Sequence, residues 1–105
     1  QYALAAFGVD PVLVPTVLFG RHPGKGDPGG AATADTVFES ALHAALRDVA
    51  LAHADAAITG YFASAGQVRA AAQAIDAVRA APDREPGRLL VVVDPIMGDD
   101  EGGLY

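Results

Sequence analysis

The sequence predicts an α/β fold, a parallel sheet with βαβ crossovers. Three observations point there. Short apolar runs rich in β-branched residues recur at Val12–Leu18, Asp55–Gly60 and Leu89–Val93, and each suits a buried strand. Between them lie two segments with helical spacing of apolar residues. The last run is apolar at every position, as a central parallel strand is when both faces are covered. The order α-β-α-β-α-β therefore gives two βαβ units and at least three parallel strands.

Taken in order, Gln1 to Gly8 reads as the end of a helix closed by a glycine cap. Asp10-Pro11 opens a new element, the first strand. Pro15 counts against a central place for it, because proline offers no ladder donor. Residues 20–30 are rich in glycine, with Pro23 and Pro28, and read as a loop. Thr36 and Glu39 have capping-box spacing. Phe38, Ala41, Leu42, Ala45, Leu46 and Val49 then form one apolar helix face. Asp55–Gly60 is the second strand. Ser64 and Gln67 fit a second capping box, ahead of a face made by Val68, Ala71, Ala72, Ile75 and Val78. Residues 82–87 form a turn-rich connection, and Leu89–Val93 is the third strand.

Bulk properties exclude several classes. The chain has 105 residues, one domain's worth, and half of them are apolar, which argues against general disorder. It has no cysteine, so disulfides and thiolate chemistry are out. A net charge of −6 speaks against nucleic acid and anionic membranes, and no apolar run approaches the ~20 residues of a membrane span. The chain opens inside a helix without an initiator Met and stops at Tyr105 in an acidic, glycine-rich stretch. It therefore reads as an internal piece of a longer protein.

In a parallel sheet, ligands bind beyond the carboxyl ends of the strands. Asp94 follows five apolar residues at such an end. A carboxylate there is not needed for folding and suits Mg²⁺ or a nucleotide phosphate; a turn cap is the plainer alternative. Asp99 lies five residues on and reaches the same edge or solvent. Gly60 lets a ligand approach the backbone, and Tyr61 offers a flat face with a polar tip, unless it simply packs on the sheet edge. Phe19 could stack on an aromatic ring. His22 is an exposed loop residue or a hydrogen-bonding group. His43 and His53 lie away from this edge. Gly24 to Gly29 matches G-x-G-x-x-G literally, but Pro28 and further glycines separate it from any helix start, so a dinucleotide fingerprint is rejected.

Three segments together resemble the pyridoxal kinases of the ribokinase-like superfamily. Val14-Pro15-Thr16-Val17-Leu18-Phe19-Gly20-Arg21-His22-Pro23-Gly24-Lys25-Gly26 is similar to their substrate loop. Thr59-Gly60-Tyr61-Phe62-Ala63-Ser64-Ala65 is similar to their S/T-G-Y-L-G-S-A turn. Val93-Asp94-Pro95-Ile96-Met97-Gly98-Asp99, followed by Gly102 to Tyr105, is similar to their D-P-V-M-G-D segment and glycine-rich lid.

The resemblance implies a three-layer α/β/α fold of which residues 1–105 are one part. It implies transfer of the ATP γ-phosphoryl group to the 5′-hydroxymethyl of pyridoxal or a related vitamer, with Mg²⁺ and usually a monovalent cation, in a cytoplasmic, homodimeric parent protein. Phe19 would stack on the pyridine ring; His22, Pro23 and Gly24 would line the pocket and Tyr61 would close it. Asp94 and Asp99 would face ATP and its metal, and Tyr105 would belong to a lid over the nucleotide. Pro23 stands where many members have threonine. The first strand of the family fold, its anion hole and its general base have no counterpart in these residues, so the chain alone is expected to be inactive. Two other readings compete: a hydroxymethylpyrimidine kinase of the same superfamily, and a non-catalytic receiver-like module. The latter wants five strands and a late lysine, whereas the single lysine here is Lys25.

Overall fold

The computed structural model describes residues 2–48, 53–82, 85, 88–96, 98–99 and 103–104. It is a small α/β structure in which two helices accompany a two-stranded parallel sheet and two short antiparallel hairpins. A single helical turn, α1 (Tyr2–Ala5), ends as predicted: Gly8 has φ +75°, and the amides of Gly8 and Val9 return to the carbonyls of Ala5 and Leu4.

The parallel pair is the most legible part. β3 (Ala56–Thr59) and β4 (Leu90–Val93) run in register from Ala56 opposite Leu90 to Thr59 opposite Val93. The ladder continues at both ends, where Leu90 N–H donates to Asp55 O and Asp94 N–H to Thr59 O, each at 3.0 Å. The connection between the strands is helix α3 (Ala65–Arg79), as a βαβ unit requires.

The first predicted strand is corrected. Of Val12–Leu18 only the end is a strand, β1 (Val17–Phe19). It pairs antiparallel with β2 (Gly30–Ala32), a strand that begins at the last residue of the stretch read as a loop and was not expected. Pro15 cannot donate to a ladder, and the turn-rich residues after Phe19 let the chain fold straight back. Gly30 is essential to this return: its φ is +82°, and a Cβ there would collide with the Leu18 carbonyl. The described residues thus contain two parallel strands, not three. A second small hairpin, β5 (Gly98–Asp99) with β6 (Gly103–Leu104), occupies the stretch expected to be an irregular lid.

The core lies between α2 (Asp35–Leu46) and α3. Phe38 is buried and meets Phe62 edge-on with ring centroids 6.3 Å apart. Leu42, Ala45 and Leu46 are half-buried beside it, Ala41 is exposed, and Val49 lies outside the described residues. Helix α2 starts at Asp35, behind an Ala34 N-cap that makes no side-chain bond, so the Thr36–Glu39 capping box is not used. The buried stripe of α3 is Gln67, Ala71, Ala74 and Val78. Val68 and Ala72, expected to face inward, are exposed. The stripe is rotated because a polar residue, Gln67, occupies its first position.

Phe38→Ala is expected to destabilise the intact protein by about 3 kcal/mol in urea unfolding. Val68→Ala, at a side chain 48% exposed, should change stability by less than about 0.5 kcal/mol.

Candidate functional site

At the carboxyl edge of the parallel pair the two strand exits are tied together. The Asp94 amide bonds to Thr59 O, so Asp94 stands beside the Gly60-Tyr61 turn. The Ile96 amide then turns back to Asp94 O at 2.9 Å. The Asp94 side chain is exposed, and Tyr61 is half-buried.

The β1–β2 hairpin rises from the same edge. Thr16 Oγ1 donates to Tyr61 O at 2.8 Å. At the hairpin base Thr33 N–H donates to Thr16 O at 2.9 Å, and Thr33 Oγ1 donates to Pro15 O at 2.9 Å. Further out, Gly20 N–H donates to Pro28 O at 3.0 Å. The tip is a short 3₁₀ turn, Pro23–Lys25, capped by His22: its Nδ1 accepts from Gly24 N–H at 3.1 Å. In the neutral ring this puts the imidazole proton on Nε2, which is left to donate outward. Arg21 Nε donates to Asp27 O at 2.7 Å, and Asp27 Oδ1 accepts from Gly29 N–H at 2.9 Å, an Asx turn that directs the chain into β2. Phe19, His22, Pro23 and Gly24 are therefore carried together on one exposed hairpin whose base is bonded to Tyr61.

The helix starts meet below this hairpin. Ser64 caps α3, accepting from Gln67 N–H at 3.0 Å, and its hydroxyl donates to Asp35 Oδ1 at 2.5 Å in the first turn of α2. The predicted Ser64–Gln67 box is present in part, because the Gln67 carbonyl accepts from Ala63 N–H at 2.9 Å and not from Ser64. Gln67 is wholly buried, and its Nε2 donates to Thr16 O at 3.0 Å and to Thr33 O at 2.7 Å. Sequence reasoning treated Gln67 only as a helix cap. The overlooked signal was a long amide side chain in register with the apolar stripe Ala71, Ala74 and Val78.

A groove of about 500 Å³ runs between the extended residues 12–16 and β3, floored by Phe38, Ala71 and Val78. None of Phe19, His22 and Asp94 lines it, and no charged side chain does. It is an open part of the core that reaches the polar edge, where Thr16, Gly60 and Tyr61 line it. Asp99 lies in β5 opposite Gly103, and Tyr105 is outside the described residues. Among the described residues no three His, Asp or Glu side chains gather where they could hold a metal ion, and no helix is long and apolar enough to cross a membrane.

No family model matches the chain. The chain is 39% identical over 103 residues to a pyridoxine/pyridoxal/pyridoxamine kinase of Bordetella avium (strain 197N). The match takes in 98% of the chain and 33% of that kinase, so the chain spans about a third of the length of the curated relative. The chain is thus similar to one part of a vitamin B6 kinase.

Gly30→Ala is expected to destabilise the intact protein by about 2 kcal/mol, since alanine at a positive φ is strained and meets a backbone carbonyl. A thermal melt checks this; Gly8→Ala, where a Cβ meets nothing within 4 Å, should cost less.

Proposed function

We propose that the chain is part of a ribokinase-like vitamin B6 kinase, which transfers the γ-phosphoryl group of ATP to the 5′-hydroxyl of pyridoxal or a related vitamer. The observation that carries this reading is the 39% identity to a named pyridoxine/pyridoxal/pyridoxamine kinase over 98% of the chain. The hairpin and the two strand exits, gathered at one edge, support it.

In this reading Phe19 stacks on the pyridine ring. His22, Pro23 and Gly24 line the vitamer pocket, with the His22 Nε2 proton aimed at a ring substituent, and Tyr61 closes it. Asp94 faces ATP, with Asp99 and Tyr105 on the same side. Magnesium holds few protein carboxylates and takes the rest of its shell from phosphate and water, so Asp94 suits it as one donor. The metal supplies neutralisation of the charge on the transferred group. A new bond forms between the 5′-oxygen and the γ-phosphorus, and the bond from that phosphorus to the β–γ bridging oxygen breaks. The hydroxyl proton passes to a base, which we do not assign within residues 1–105.

The test is ATP-dependent phosphorylation by the intact protein, with pyridoxal and hydroxymethylpyrimidine offered side by side. Preferred turnover of pyridoxal is expected; a clear preference for the pyrimidine, or no turnover of either, overturns the reading. In the same assay Asp94→Asn should lower kcat on the order of 10²-fold, the loss of about 2.7 kcal/mol of charge stabilisation. Phe19→Ala should act mainly through KM for the vitamer.

A further inference from the structure

The polar contacts of Gln67 are unusual for a helix residue. It is 0% exposed, yet its side chain serves three separate pieces of backbone. Its two N–H bonds diverge to Thr16 O, entering β1, and Thr33 O, leaving β2. Its oxygen takes the amide of Ala63, in the turn that carries Tyr61. A primary amide has two N–H donors and an acceptor oxygen, so both donors are used. No other residue type reproduces this set: glutamate lacks the donors, methionine lacks both functions, and asparagine is a methylene shorter. Thr16 adds a fourth link by donating to Tyr61 O.

We propose that Gln67 is a positioning residue for substrate. It fixes both strands of the β1–β2 hairpin to the Gly60-Tyr61 turn, and so sets where Phe19 and His22 stand relative to Tyr61. This rests on the reading of that hairpin as the vitamer-binding loop. The anchoring itself rests on the hydrogen bonds alone, and the two parts separate by experiment.

Gln67→Met and Gln67→Glu are made in the intact protein, with Val78→Ala as a control that leaves a void in the same helix away from the hairpin. Trypsin reports on the anchor at Arg21 and Lys25, the two basic residues of the hairpin. Cleavage there should be at least tenfold faster in both Gln67 variants and unchanged in the control, because an unanchored hairpin opens locally more often. KM for pyridoxal should rise tenfold or more while KM for ATP stays within twofold, a split that a general loss of stability does not produce. Wild-type cleavage rates in folded Gln67 variants overturn the anchor. Faster cleavage with an unchanged vitamer KM overturns the positioning role and leaves the anchor standing. A wild-type protein that does not phosphorylate pyridoxal sinks the functional reading, while the trypsin result still decides the anchor. If neither variant folds, the wild type answers by NMR. The side-chain amide protons of buried Gln67 should exchange at least 100-fold more slowly than those of exposed Gln73, and equal rates overturn the proposal.

Discussion

The two strands of a hairpin leave a sheet edge as separate pieces of chain, and something must hold them to the body of the fold. Here a buried side-chain amide does so. Burying an amide is costly unless its hydrogen-bonding groups are paired, and Gln67 satisfies this by binding Thr16 O, Thr33 O and Ala63 N–H together. The same residue occupies the first position of the buried stripe of α3. Helix packing and hairpin placement are thereby coupled through one group. Ser64 extends the coupling to α2 through Asp35, so both helix starts and the hairpin base share a continuous set of hydrogen bonds.

The Gly60-Tyr61 turn and Asp94 lie on the side to which the β3 and β4 chains run out. The parallel register brings Thr59 and Val93 level, which sets Gly60 and Asp94 side by side. The apolar groove runs among the strand and helix side chains and reaches the same edge at Thr16, Gly60 and Tyr61.

The parallel pair, α3 and the glycine-closed end of α1 were legible because their signals are local and agree: continuous apolar runs, a serine cap, a glycine at positive φ. Other features were not, each for its own reason. β2 is Gly30-Ala31-Ala32, which has no β-branched residue and no alternation, and it is a strand only because Leu18 and Phe19 lie opposite. Pro15 was read correctly as a blemish in a strand, but the strand's true partner begins where the glycine-rich loop ends, in residues to which no element was assigned. The α3 face was misjudged by treating Gln67 only as a helix cap, when tertiary hydrogen bonds offset the cost of its burial. The α2 start was displaced because Asp35 is drawn to Ser64, 29 residues away, a contact no local window contains.

A hairpin fastened only near its base behaves as a lever. Phe19 lies three residues beyond Thr16, roughly 10 Å along an extended strand, so a tilt of about 10° at the pivot swings it by about 2 Å. Displacements on the order of 1 Å can change a reaction rate on the order of 10²-fold. The position of Phe19 is thus tied to the two hydrogen bonds, 3.0 and 2.7 Å long, at the fulcrum. Sequence drift at the pivot offers evolution a fine adjustment of where the hairpin tip stands, with the residues of the tip themselves unchanged.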